Sequence, residues 1–167
     1  MSDSPAKYNM WDRTTLKTDK PVLYLDMDGV ICDYDKRVAE LKEFGLSEHE
    51  ARNAEGLFIE LEPLIGAIES IHKLSEFFDI YILSTAPWSN VASWTEKRIW
   101  IGEYFPELLE KKLILSSNKG LLKGEYLIDD RYANGVGDFE GEHILFDSPE
   151  FPNWEVITKY LLDKRAY

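Results

Sequence analysis

Cysteine is nearly absent: Cys32 stands alone among 167 residues, so no intramolecular disulfide can form. That fits a reducing compartment, and a cytoplasmic location is expected. Basic residues are also scarce, with 19 Lys+Arg against 31 Asp+Glu and a net charge of −12. A nucleic-acid groove or an anionic membrane surface needs clustered Lys and Arg, so neither is an expected partner. No run approaches the ~18 consecutive apolar residues of a membrane-spanning helix. The opening MSDSPAKYNMWDRTT lacks the apolar stretch of a secretory signal. There is no internal repeat and no low-complexity tract. What remains is the composition of a folded domain, 44% hydrophobic and 30% charged, and not that of a disordered chain. At about 150 residues per domain the length corresponds to about one.

Residues 1–20 are polar and read as a loosely ordered extension, leaving 21–167 as a single domain. Pro21 opens the run Val22-Leu23-Tyr24-Leu25, too brief for a helix, which predicts a buried strand. From Asp35 to Phe44, Val38, Leu41 and Phe44 share a helical face, and Gly45 stops the helix. Ser47 to Glu50 is a capping-box signature for a second short helix. A stronger helix is predicted from Pro63, with Leu64, Ile65, Ile68, Ile71 and Leu74 at helical spacing. Further strands are predicted at 78–83, 113–115, 126–128 and 143–146. Ser89 or Asn90 can cap a helix running through Ile101. Asn153 can cap a last one through about Lys164, with Trp154, Ile157 and Leu161 inward. Strands alternating with helices predict an α/β fold, a Rossmann-like parallel sheet flanked by helices. Residues 31–62 break the alternation and read as a small helical cap inserted after the first strand.

The polar residues concentrate where the apolar runs stop. Asp26 and Asp28 follow the first strand, Ser84 and Thr85 the second, Lys119 the third, and Asp129, Asp130 and Arg131 the fourth. Open α/β sheets bind ligands outside the carboxyl ends of their strands, so these residues could meet at one site. Residues i and i+2 of an extended chain point the same way, which turns Asp26 and Asp28 together. Close carboxylates repel unless a cation or a shared proton intervenes. A hard divalent cation with oxygen ligands relieves this most simply, and Mg²⁺ suits such a site.

The string Leu23-Tyr24-Leu25-Asp26-Met27-Asp28-Gly29-Val30 resembles the first motif of haloacid dehalogenase-type phosphatases. Ser84-Thr85 resembles their second motif and Leu127-Ile128-Asp129-Asp130-Arg131 their fourth. Three strings narrow the resemblance to the 5′(3′)-deoxyribonucleotidase family: Asp26 to Val30, Glu60-Leu61-Glu62-Pro63-Leu64 with Gly66-Ala67, and Glu96-Lys97 leading to Tyr104-Phe105. The match runs from about 21 to 147. The stretch between Asp28 and Glu60 is shorter than the cap of the animal members, so several aromatics of their nucleoside pocket lack an obvious counterpart.

The resemblance implies a Mg²⁺-dependent phosphomonoester hydrolase acting on a small phosphate ester, a (deoxy)nucleoside monophosphate. Asp26 would be the nucleophile that forms an aspartyl-phosphate, and Asp28 the general acid and base. The metal would be held by Asp26, Asp28 (through its main-chain carbonyl) and Asp129, with Asp130 and Arg131 in support. Ser84 directly follows the strand and is the first choice for the phosphate-binding hydroxyl, with Thr85 nearly equal. For the phosphate-binding lysine, Lys97 in the family string is favoured and Lys119 is second. Tyr34, Phe58 and Trp88 are candidate substrate-binding aromatics, although core packing would explain each of them too. Trp94 and Trp100 read as helix packing. His49, His72 and His143 have no metal-ligand spacing and read as structural or surface residues. Cys32 reads as inert, and 138–142 as a solvated loop. Two other readings fit part of the pattern. One is a phosphatase of sugar phosphates. The other is a phospho-receiver module, whose acidic pair would precede a lone phosphoacceptor and would not be supplied with Asp28.

Overall fold

The computed structural model describes residues 18–165; most of the expected extension, residues 1–17, lies outside them. Five strands form one parallel sheet: β1 (Val22–Leu25), β2 (Asp79–Ser84), β3 (Leu113–Leu115), β4 (Tyr126–Asp129) and β5 (Glu142–Leu145). Their spatial order is β3-β2-β1-β4-β5. The chain therefore builds outward from β1 on one side, then returns to pair β4 on the other. The reversal lies between β1 and β4, where Leu25 is in register with Ile128 and the Asp26 N–H donates to the Ile128 carbonyl at 2.9 Å.

Period-two alternation divides the sheet residues between two clusters. Leu23, Leu25, Ile80, Ile82, Ile128 and Ile144 belong to the larger. It also contains Ile71 and Leu74 of α3 (Ala67–Ser75), Trp100 and Ile101 of α4 (Ser93–Tyr104), and Trp154, Ile157 and Leu161 of α5 (Trp154–Arg165). Tyr24, Leu83 and Leu127 belong to the smaller, closed by Val136 and Phe139. The expected α/β architecture is the one observed. No helix of the described residues is long and apolar enough to cross a membrane.

Residues 31–62 hold α1 (Tyr34–Glu43) and α2 (Glu48–Arg52). Asp33 caps α1 by accepting from the Lys36 N–H, and Ser47 and Glu50 form a complete capping box on α2. The two ends of this insertion are joined. The Asp33 N–H donates to the Glu62 carbonyl at 2.8 Å, and the Leu64 N–H to the Ile31 carbonyl at 2.9 Å.

Several boundaries differ from expectation for identifiable reasons. The helix predicted from Pro63 begins at Ala67, because Leu64 is bonded to Ile31 and Gly66 has φ +80°. Ile65, expected on the buried face, is consequently exposed, as is Phe44. Helix α4 starts at Ser93 because residues 85–92 turn first; Asn90 Oδ1 accepts from the Ser93 N–H, and the Ser93 hydroxyl donates to the Asn90 carbonyl. Phe139 is buried and Glu142 opens β5, so 138–142 is not a free loop.

Trp154 ties α5 to the turn after β1. Its indole N–H donates to the Val30 carbonyl at 2.8 Å, and the ring is buried. Trp154→Phe keeps the apolar ring and leaves that carbonyl unsatisfied. It should cost about 1–3 kcal/mol, read as a lowered urea midpoint at unchanged m-value.

Candidate active site

The turn after β1 is set by Met27, whose carbonyl accepts from the N–H groups of Val30, Ile31 and Cys32. Gly29 adopts φ +79°, and a Cβ there would stand 2.5 Å from Asp130 Oδ2. A side chain at residue 29 would therefore displace Asp130 as well as strain the turn. Carboxylate oxygens of Asp26, Asp129 and Asp130 lie within 4.8 Å of one another. All three residues sit at the carboxyl ends of β1 and β4, beside the sheet's reversal point.

Two lysines answer this charge from different directions. Lys119 opens a 3₁₀ turn after β3 and is buried. Its Nζ donates to Asp26 Oδ1 at 2.8 Å and to Asp129 Oδ2 at 2.5 Å. Lys97 comes from α4 and is wholly buried. Its Nζ donates to Asp28 Oδ2 at 2.6 Å and to Ser84 Oγ at 2.9 Å, and lies 4.4 Å from the centre of the Phe58 ring. Thus Asp26 and Asp28, two residues apart in sequence, have different cations.

Burial raises the Asp28 carboxyl above the ordinary range, and Lys97 opposes the rise. Burial and then Asp26 push Asp129 up to about 6, and raise Asp130 in the same way. For Lys119, burial favours the neutral amine, but Asp26 and Asp129 outweigh it and the pKa is raised. Arg131 contributes its backbone N–H to Asp129 Oδ1 at 3.1 Å and its side chain to Asp130.

A cavity of about 420 Å³ opens above these groups. Asp26, Asp28, Lys119 and Asp129 line its floor, Thr85, Pro87 and Ser89 one wall, and Arg131 and Asn134 another. Tyr34, His49, Arg52 and Asn53 of the insertion line the rest. Thr85 reaches the cavity while its hydroxyl donates to the Ser116 carbonyl at 2.8 Å. Ser84 does not; it is fully buried and turned to Lys97. Lys97 and Phe58 likewise lie behind the lining, with Phe58 stacked on Tyr34 at 5.6 Å. Trp88 is 87% exposed and outside the lining. Trp100 is packed in the core, whereas Trp94 is exposed. Burial raises the Cys32 thiol well above its ordinary range, as an inert group requires.

His49, Arg52, Asn53 and Asn134 line the cavity without having been singled out as ligand contacts. The spacing 49, 52, 53 puts three polar groups on one side of α2 and its C-cap Asn53, a pattern visible in sequence. Asn134 carries no such signal, since its place follows from φ +55° and from its carbonyl accepting the Lys119 N–H.

The buried Lys97–Asp28 pair makes a measurable demand. Lys97→Met removes the cation and strands a carboxylate, which should cost about 3–5 kcal/mol. Adding Asp28→Asn to that variant should restore most of the loss, a coupling that a double-mutant cycle in urea reads directly.

Known proteins resemble this chain in sequence and in fold. Residues 42–157 match the family model described as 5′ nucleotidase, deoxy (Pyrimidine), cytosolic type C protein. A candidate 5′(3′)-deoxyribonucleotidase of Vibrio phage KVP40 is 46% identical over 147 residues, covering 87% of this chain and 86% of the relative. The 5′(3′)-deoxyribonucleotidase of Bacillus subtilis is 32% identical over 115 residues, covering 64% of this chain and 66% of the relative. Among solved structures, a haloacid dehalogenase-like hydrolase from Xanthomonas campestris superposes with a TM-score of 0.57 at 10% identity, covering 88% of this chain and 96% of that one. The magnesium-bound candidate HAD-hydrolase YfnB of Bacillus subtilis gives 0.54 at 15% identity, covering 86% of this chain and 99% of that one. Agreement in sequence along most of its length, on a fold shared with haloacid dehalogenase-like hydrolases, places this chain in the 5′(3′)-deoxyribonucleotidase family, whose members hydrolyse phosphoric monoesters.

Proposed function

We propose that the chain dephosphorylates (deoxy)nucleoside monophosphates through a phosphorylated Asp26, with Mg²⁺ as cofactor. One observation carries this reading: Asp26 stands at the cavity floor, with one oxygen held by Lys119 and Asp129 and Asp130 beside it. A phosphate dianion repels an attacking carboxylate, so the site must neutralise the phosphoryl group and hold the nucleophile in line.

Asp26, Asp129 and Asp130 suit a hard cation, being oxygen donors close enough to share one. The elevated Asp129 pKa comes first from burial and then from the neighbouring Asp26, and a bound cation would oppose both. When bound, the ion supplies charge neutralisation for the phosphoryl oxygens. The Asp28 carboxylate is turned to Lys97, so its side chain is not assigned to the metal.

Asp26 attacks phosphorus; the Asp26–phosphorus bond forms as the ester oxygen leaves. Asp28 gives that oxygen its proton, and burial favours the protonated form this step needs. A water then attacks the phosphorylated Asp26, Asp28 takes the proton, and phosphate departs with Asp26 restored. Lys119 faces the cavity and is assigned to the phosphate, whereas Lys97 is assigned to Asp28. This reverses the preference between the two lysines drawn from sequence. Thr85 is likewise preferred to Ser84 as the hydroxyl near the phosphate.

A cavity of about 420 Å³ suits a small phosphate ester of nucleotide size, and Tyr34 offers one aromatic wall. The pyrimidine nucleotidase description of the family favours nucleotides over sugar phosphates. The single, buried cysteine is compatible with a cytoplasmic setting. We treat residues 21–167 as one catalytic domain with 31–62 as its cap.

Phosphate should be released from dUMP or dTMP with Mg²⁺ and not with EDTA, and Asp26→Asn should lower turnover by about 10⁴-fold. A clear preference for non-nucleotide esters would refute the substrate assignment. Mg²⁺ alone should raise the thermal midpoint, by an amount equivalent to about 2.7 kcal/mol at a hundredfold excess over Kd. Asp129→Asn should abolish that rise.

A further inference from the structure

Glu96, beside Lys97 on α4, is a buried carboxylate with no ion-pair partner among the described residues. Its Oε1 accepts from the Gly56 N–H at 2.7 Å and its Oε2 from the Phe58 N–H at 3.1 Å. Both donors belong to the irregular segment that follows α2, where no helix or strand satisfies them. Gly56 has φ +81°, so this segment bends under the control of its own backbone and of that carboxylate.

The position of this segment reaches the cavity by two routes. Upstream it continues α2, which with its C-cap Asn53 presents His49, Arg52 and Asn53 to the cavity; Asn90, just before α4, also donates to the Arg52 carbonyl at 3.4 Å. Downstream, Phe58 stacks on cavity-lining Tyr34 and lies against Lys97. Leu57, Phe58 and Leu61 are already anchored in the core, and the Trp100 indole N–H donates to the Leu61 carbonyl at 2.8 Å. Apolar burial is non-directional and fixes the segment only approximately. Two charge-assisted hydrogen bonds to backbone N–H groups define its height and register.

We propose that Glu96 is a positioning residue that sets the roof over the leaving group, and so determines affinity for large leaving groups without touching substrate. Resting on the nucleotidase reading above, the inference adds that the selecting roof is bolted to the core through α4. A glutamine is the sharpest probe. It keeps the shape but turns an NH₂ toward one of the two N–H donors, so one bond is lost without a cavity.

Glu96→Gln should raise KM for dUMP about tenfold with kcat within about threefold, because the lost interaction is one of binding. Acetyl phosphate, whose leaving group is too small to reach the roof, should keep its kcat/KM within about twofold. Glu96→Ala should move dUMP further in the same direction. Equal losses on the two substrates, or an unchanged KM for dUMP, would overturn the proposal by showing a merely structural role. A readout independent of substrate identity is hydrogen exchange at the Gly56 and Phe58 amides, which should accelerate about tenfold or more in Glu96→Gln. Unchanged exchange overturns the proposal whatever the enzyme prefers. Wild-type protein inactive on nucleotides but active on acetyl phosphate would instead strike the substrate reading, leaving the amide measurement to decide the role of Glu96.

Discussion

The convergence of Asp26, Asp28, Asp129 and Asp130 at one end of the sheet is the constraint around which the molecule is arranged. Four carboxylates in a partly buried space repel one another, and folding brings them together only where cations and hydrogen-bond donors answer them. Lys119 bridges Asp26 and Asp129, Lys97 holds Asp28, and Arg131 closes on Asp129 and Asp130. Burial, and then the neighbouring Asp26, raise the Asp129 and Asp130 carboxyls, so this end of the sheet holds its negative charge at a cost that a further positive charge would lower. An unfinished charge balance is a useful property where a phosphate dianion and a divalent cation must both be received.

Separate cations allow Asp26 and Asp28 to differ despite their spacing. Asp26 meets Lys119 at the cavity floor through one oxygen, and its other oxygen has no hydrogen-bond partner among the described residues, as the proposed nucleophile requires. Asp28 lines the same floor but turns a carboxylate oxygen to Lys97, and burial and Lys97 pull its protonation in opposite directions. Such divergence between neighbouring carboxyls separates a nucleophile from an acid–base group. The same helix that carries Lys97 carries Glu96, so the support for the acid and the fastening of the cap are consecutive residues of α4. On the proposed roles, geometry at the phosphorus and geometry at the leaving group would share one helix.

Strand positions, the α/β class, the inserted helical cap and the placing of acids at strand ends were legible because each rests on local signals. These are short apolar runs, capping boxes and polar residues immediately after a strand. The helix start at Ala67 was not legible from apolar spacing, since the Leu64–Ile31 bond and the Gly66 conformation involve a partner 33 positions away and a backbone turn. The lysines were ambiguous for a related reason. Nothing local distinguishes a helix lysine pointing into the core from one on a solvated face, and Lys97 is the former. His49, which lacks metal-ligand spacing, reads from sequence as a structural or surface residue and Arg52 draws no notice, since a polar face on a short helix ordinarily meets water; here it meets a cavity.

Sequence by itself determined the alternation of elements, the family motifs and the presence of a paired acid followed by a glycine. It did so because period, caps and turn residues act within a few positions of one another. Tertiary structure alone decided which cation meets which carboxylate, that Thr85 and not Ser84 faces the cavity, and that Glu96 grips the cap. Those outcomes depend on contacts spanning roughly 10 to 90 residues, on the order in which strands pair, and on desolvation that exists only once the core has closed.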